Sequence, residues 1–240
     1  MIAVIRLTIL ICLIVLVTAL GLLLCLVLGR SKDRVYYVAK TFAPVARLFG
    51  LRVSKHISYK SLDVPQAVYI GNHQNNYDLF TFSHVVPRGV VTVGKSSLRW
   101  LPFFGWLYWA SGNFLIHRQD RDKAIATIGQ IVANMRESGL SIWMFPEGTR
   151  SRGRGWLPFK RGAFHAAIQA QVPIIPVVCS STHAQVKLNR LNNGAVKVEV
   201  LDPIYTDGMT EKDIPALVSR CEEVMKAKQA ELDQSILIES

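Results

Sequence analysis

The sequence predicts an α/β protein: a central mixed β-sheet flanked by helices, behind an N-terminal apolar membrane-binding helical segment. Two observations carry this. Short apolar runs bounded by turn residues recur along the chain and alternate with helical stretches. Ahead of them all lies an uncharged run, residues 7–29. Half of the 240 residues are hydrophobic and the formal net charge is +11. That balance leans toward a membrane and toward anionic partners, whether anionic lipid, nucleic acid or phosphorylated substrates.

As a helix, residues 7–29 would measure about 34 Å, enough to cross a hydrocarbon core of about 30 Å. The run is longer than the apolar region of a secretory signal, and no small-x-small site closes it, so it reads as an uncleaved anchor. The run alone is compatible with spanning and with dipping in and returning. Arg30, Lys32, Arg34 and Lys40 follow it, against Arg6 before it, which places the body of the protein on the cytoplasmic side. Residues 1–50 are accordingly expected to form an anchor and amphipathic segment, and 51–240 the main domain. Within the first part, residues 34–50 (RVYYVAKTFAPVARLFG) form either an amphipathic helix along the membrane, broken near Pro44, or a helix packed on the domain.

Residues 51–54 read as a short strand, 67–70 as a buried strand, and 77–86 as a helix. Residues 89–96, GVVTVGKS, formally match the phosphate-binding loop G-x-x-x-x-G-K-[ST]. Such a loop needs small, flexible residues whose N–H groups cup phosphate, whereas Val90, Val91, Thr92 and Val93 prefer extended strand. Lys95, at that strand's end, is a candidate cation for a substrate phosphate. Residues 100–116 are uncharged and dense in Trp, Phe and Tyr; Pro102, Gly105 and Gly112 break them up. They suit either an interfacial, acyl-chain-contacting surface or core packing. Strand 113–116 and an amphipathic helix over 121–136, stopped by Gly139, come next. Strands 141–145, 173–178 and 196–201 follow, and Thr210 and Asp213 resemble a capping box opening a helix to about Leu232. Cys12, Cys25, Cys179 and Cys221 show no metal-ligand spacing.

Chemistry concentrates at two strand ends. In residues 67–78, AVYIGNHQNNYD, an apolar strand delivers a tight polar cluster to a sheet edge, where α/β folds place their sites. His73 and Asp78 would lie roughly 140° apart on a straight helix, so they meet only through a bend, which Gln74, Asn75 and Asn76 permit. A His beside a carboxylate is a tuned general base. The same spacing recurs from His117 to Asp122, where Asp120 and Asp122 suit the first turn of a helix instead. In the second stretch, PEGTRSRGRGWLPFKRGAF, glycines interleave with Arg150, Arg152, Arg154, Lys160 and Arg161. Glycine lets backbone N–H groups approach an anion, and the guanidinium fork matches phosphate oxygens. A solvated basic loop or an RNA-contacting patch fits that stretch too.

Four blocks then occur in order: NHQNNYD (72–78), GNFLIHR (112–118), FPEGTRS (145–151) and VPIIPV (172–177). They resemble the glycerolipid acyltransferases, most closely the bacterial 1-acyl-sn-glycerol-3-phosphate acyltransferases, over roughly residues 52–201. His117 departs from the family's usual residue and leaves Arg118 in place. The resemblance implies the glycerolipid acyltransferase fold, with His73 as catalytic base and Asp78 as its partner. It places substrate-phosphate contacts on Arg118, Glu147, Gly148, Thr149 and Arg150, to which Lys95 is added. The implied reaction passes a fatty acyl group from an acyl thioester, acyl-CoA or acyl-carrier protein, to the sn-2 hydroxyl of lysophosphatidic acid, giving phosphatidic acid for phospholipid biosynthesis. No cofactor and no metal are expected. The implied partners are these substrates and membrane lipids, without nucleic acid, at the cytoplasmic face of the inner membrane. The alternative from another class, a membrane-tethered nucleic-acid-binding protein, rests on the net charge and the SRGRG loop.

Overall fold

The computed structural model describes residues 2–29, 31–117 and 120–239. In chain order the elements are α1 (Ile2–Val27), α2 (Arg34–Phe42), α3 (Val45–Leu48), β1 (Leu51–Ile57), α4 (Tyr59–Leu62), β2 (Val68–Gly71), α5 (Asp78–Phe82), β3 (Val90–Lys95), α6 (Phe104–Ala110) and β4 (Phe114–Ile116). They continue with α7 (Arg121–Ser138), β5 (Ser141–Met144), α8 (Gly162–Ala170), β6 (Ile174–Cys179), β7 (Gly194–Val200) and α9 (Ile214–Glu239).

The strands form one sheet in the order β1-β7-β6-β2-β5-β3-β4. From β6 to β4 neighbours run parallel, whereas β7 is antiparallel to β6 and carries β1 parallel to itself. The predicted mixed sheet is therefore present. Interior strands β2 and β6 are buried on both faces, so their sequences, VYIG and IIPVVC, lack the polar alternation of a half-exposed strand. β7 does alternate, with Val196, Val198 and Val200 buried between more exposed neighbours. Ile70 lies level with Met144 and Pro176, so β2, β5 and β6 end at one edge. Within residues 89–96, Val90–Lys95 form strand β3 rather than a phosphate-binding loop.

On one face, Tyr69 stacks on Trp143, and Phe42, Phe80 and Phe104 join α2, α5 and α6. On the other, α8 packs on β2, α9 on β6 and α7 on α8. Residues 34–50 enter this core through Val35, Val38, Phe42, Val45 and Phe49, so the packed reading of that segment holds for its apolar side. α5 is shorter than the helix expected over 77–86. The Ser83 hydroxyl bonds to the Leu79 carbonyl, and His84 Nδ1 lies 3.0 Å from the Phe80 carbonyl. These side chains take up acceptors that further turns would need, and the helix stops. α9 runs beyond the expected end near Leu232, to Glu239.

α1 lies along the domain. Near its start, Arg6 is 5% exposed and its guanidinium donates to the carbonyls of Leu188, Arg190 and Leu191 at 2.7, 2.5 and 3.1 Å. Near its end, Leu107 of α6 seats against Gly21, and Cys25 Sγ reaches the Ser111 hydroxyl. Leu10, Leu13 and Val17 continue the inward stripe at helical spacing. Ile5, Ile9, Leu16, Leu20, Leu23 and Val27 face outward and exposed. A helix standing across a bilayer would meet a domain on one side at one end only; α1 meets it at both.

The segment that receives Arg6 also meets the turn before β1. Gly50 has φ +69°, and a Cβ there would come 2.0 Å from the Leu191 carbonyl oxygen. Gly89 has a similar φ of +65° but nothing within 4 Å. Gly89→Ala should therefore lose about 1 kcal/mol from left-handed strain alone. Gly50→Ala should lose clearly more, because backbone must move. Urea unfolding of both variants measures the difference, and equal losses would contradict the close approach.

Candidate active site

β2 leaves the sheet at Gly71 and the chain turns through residues 72–77 before α5 begins at Asp78. That turn supplies the bend the spacing demanded. Asp78 is 2% exposed, and its Oδ2 accepts from His73 Nδ1 at 2.6 Å and from the backbone N–H groups of Gln74 and Asn75 at 2.7 and 3.0 Å. With Nδ1 held by Asp78, Nε2 is the ring nitrogen left available among the described residues. The imidazole keeps 17% of its surface and stacks on Phe145, 4.1 Å between centroids and 16° between planes.

Neighbouring strand ends fix the turn. Asn72 pairs with Cys179 of β6 in both directions, its amide donating to the carbonyl and accepting from the N–H, each at 2.8 Å. Gln74 donates to the Ser180 carbonyl and accepts from the Thr182 N–H, also at 2.8 Å. From the β5 side, the Ser151 and Arg152 N–H groups donate to the carbonyls of His73 and Gln74. Glu147 is buried; Oε1 accepts the His73 N–H at 2.7 Å and Oε2 the Leu157 N–H at 3.1 Å. Burial raises its pKa, and the two N–H donors oppose that rise.

The sequence-predicted phosphate residues divide. Gly148 turns the chain at φ +69° beside the stem of Lys160, and Thr149 is exposed next to it. Arg150 is half-buried, and its guanidinium has no hydrogen-bond or ion-pair partner among the described residues. Arg154, in contrast, folds back on the carbonyls of Ser151 and Arg150 at 2.8 and 3.0 Å. Lys95 is exposed at the end of β3, on the same sheet edge and two strands from β2, roughly 10 Å across. Glu147 stands apart from this group, because its carboxylate faces backbone N–H groups and carries the wrong charge for phosphate. Arg118 lies outside the described residues. His117 is exposed and makes no ion pair with Asp122 among the described residues, while Asp120 accepts the Lys123 N–H at 3.1 Å and caps α7.

Sequence reading missed Asn72 and Gln74 as the struts of this turn, and Phe145 as the platform under His73. Their only signal was an excess of amides after a buried strand, more than a turn needs.

Residues 52–180 match the Acyltransferase family model. The 1-acyl-sn-glycerol-3-phosphate acyltransferases of Haemophilus influenzae and Escherichia coli are each 49% identical to this chain over 92% of it, covering 92% and 91% of their own lengths. The human alpha enzyme of the same name is 34% identical over 84% of this chain and 72% of its own. In three dimensions, the 1-acyl-sn-glycerophosphate acyltransferase of Thermotoga maritima superposes with a TM-score of 0.71, covering 96% of this chain and 95% of that one at 21% identity, which supports the fold. On the match over more than half its length and on these identities, the chain belongs to the acyltransferase family, among its 1-acyl-sn-glycerol-3-phosphate acyltransferases.

Proposed function

We propose that the protein transfers a fatty acyl group from an acyl thioester, on coenzyme A or on acyl-carrier protein, to the free sn-2 hydroxyl of 1-acyl-sn-glycerol 3-phosphate, forming phosphatidic acid. The observation that carries this is the 2.6 Å contact between His73 Nδ1 and the buried Asp78, beside an Arg150 that has no partner among the described residues on the neighbouring strand's exit. His73 Nε2 removes the acceptor's hydroxyl proton as the oxygen forms its bond to the thioester carbonyl carbon. The tetrahedral adduct collapses, the C–S bond breaks, and the imidazolium returns the proton to the departing thiolate. Asp78 stays ionised throughout, holding the tautomer and stabilising the imidazolium.

Arg150, with Gly148, Thr149 and Lys95 near it, is read as the acceptor-phosphate ligand, since a guanidinium fork matches phosphate oxygens. Arg118 belongs to the same proposal through its position in the family motif. Glu147 is read as a positioning residue that joins His73 to Leu157. The protein is held at the membrane by the outward face of α1 together with Trp100, Phe103, Trp106 and Trp109, all exposed around α6. Indole rings of this kind settle at the headgroup level. The contacts at both ends of α1 favour attachment in the membrane plane, and the flanking basic residues favour the cytoplasmic face of the inner membrane.

His73→Ala should lower kcat by about 10² to 10⁴ while leaving the melting temperature close to wild type. His117→Ala should retain most activity; equal losses in the two variants would remove His73 from its role. For the phosphate, acylation of lysophosphatidate is compared with that of a monoacylglycerol. Wild type should strongly prefer the phosphorylated acceptor, and Arg150→Ala should lose most of that preference. Arg150→Lys should recover little of it, because an ammonium cannot form a forked pair. Full preference in Arg150→Ala would assign the phosphate elsewhere. For the membrane face, Trp106→Glu with Trp109→Glu should weaken flotation with phospholipid vesicles yet leave the rate on detergent-dispersed substrate near wild type. Unchanged flotation would place the membrane on another surface.

A further inference from the structure

Away from His73, a pocket of about 240 Å³ opens between α2, β1, β2 and the segment after α5. Tyr36 and Lys40 of α2, Lys55 of β1, Tyr69 of β2 and His84 line it, and no Asp or Glu does. From the juxtaposition of these two lysines with the Tyr69 hydroxyl we infer a second phosphate-binding site, distinct from the acceptor site, for a phosphate group of a lipid headgroup or of a soluble phosphate ester.

The first argument is a donor that opens into the pocket. Tyr69, on β2, is 6% exposed and held flat on Trp143 at 5.9 Å and 6°. Its hydroxyl has no hydrogen-bond partner among the described residues, although it lines the pocket. The oxygen is not enclosed by the core but opens into the pocket, where it stands ready to donate to a ligand as Phe could not. Burial pushes the phenol up to about 12, which keeps it a neutral donor.

Charge is the second argument. Lys55 Nζ reaches only the His84 carbonyl, at 3.3 Å, and Lys40 Nζ lies over the Tyr36 ring at 5.0 Å. Neither makes an ion pair among the described residues. Arg88, on Tyr36 at 4.9 Å, is paired with Asp33 and so is not free in the same way. His84 Nδ1 lies 3.0 and 3.2 Å from the Phe80 and Thr81 carbonyls, so it carries the hydrogen and leaves Nε2 unbonded. Burial lowers the His84 pKa, the Phe80 and Thr81 carbonyls oppose that, and the positive charges of Lys55 and Lys40 add smaller lowering contributions. Two ammonium groups and a phenol match a phosphate, which offers two charges and several acceptor oxygens.

The test uses full-length protein in detergent carrying Arg150→Ala, with inorganic phosphate as titrant in calorimetry. Saturable phosphate binding should persist in that variant. Adding Tyr69→Phe should weaken it by about tenfold, the equivalent of one charge-assisted hydrogen bond, without lowering the phosphate-free melting temperature. Adding Lys40→Ala with Lys55→Ala should abolish it. No saturable binding with Arg150→Ala alone, or affinity untouched by both the tyrosine and the lysine changes, would overturn the site. To identify the source, phosphatidylcholine vesicles with and without phosphatidylglycerol compete against inorganic phosphate. Displacement only by the anionic vesicles assigns the site to a lipid headgroup; no displacement by either assigns it to a soluble phosphate ester.

Discussion

One carboxylate oxygen organises the sheet edge that carries His73. Asp78 Oδ2 accepts three donors, one from the imidazole and two from the backbone of the turn it closes. A buried carboxylate is strongly disfavoured without such partners. The conformation of residues 73–75 and the burial of Asp78 therefore depend on each other. Because the same oxygen orients His73, the bond that shapes the turn also fixes which imidazole nitrogen faces away from it. In the proposed reaction that geometry is prepared before a substrate arrives, the condition under which a general base is most effective.

That turn would be a mobile loop if left to itself, and strands on both sides prevent this. β6 holds it through Asn72 and Gln74, and the residues after β5 hold it through Glu147, Ser151 and Arg152. The basic loop after β5 is thereby bonded to the backbone of His73 itself. Within it, Arg154 satisfies the loop's carbonyls, while the Arg150 guanidinium has no partner among the described residues. Of two arginines four residues apart, one is spent on structure and the other, on the proposed reading, is left for an anion.

The sheet, the polar turn and the basic loop were legible in the sequence because each depends on local pattern: apolar runs, amides that permit a bend, glycines among arginines. The His73–Asp78 pair was legible because only five residues separate its members. What escaped were partnerships across the fold. Nothing near Asn72 announces Cys179, and nothing near Glu147 announces Leu157; an acidic residue within a phosphate motif reads as part of the binding site until its carboxylate is seen among N–H groups. The end of α5 escaped for a subtler reason, since the Ser83 and His84 side chains compete with the backbone in a stretch that otherwise suits a helix. Residues 34–50 stayed ambiguous because a helix packed on a domain and one lying on lipid share the same apolar stripe.

The lie of α1 along the domain has a kinetic consequence. A helix gripped at its start by Arg6 and near its end by α6 transmits its own orientation to the sheet, so the depth and tilt of the outward face set the height of His73 above the lipid. If the protein acts on lysophosphatidate as proposed, then with that face embedded the acceptor need never leave the bilayer, and it reaches His73 by lateral diffusion within one leaflet. Encounter then becomes a two-dimensional problem. Saturation would follow the mole fraction of that acceptor in the surface rather than its concentration in solution, and diluting the surface with inert lipid would slow turnover at constant total substrate.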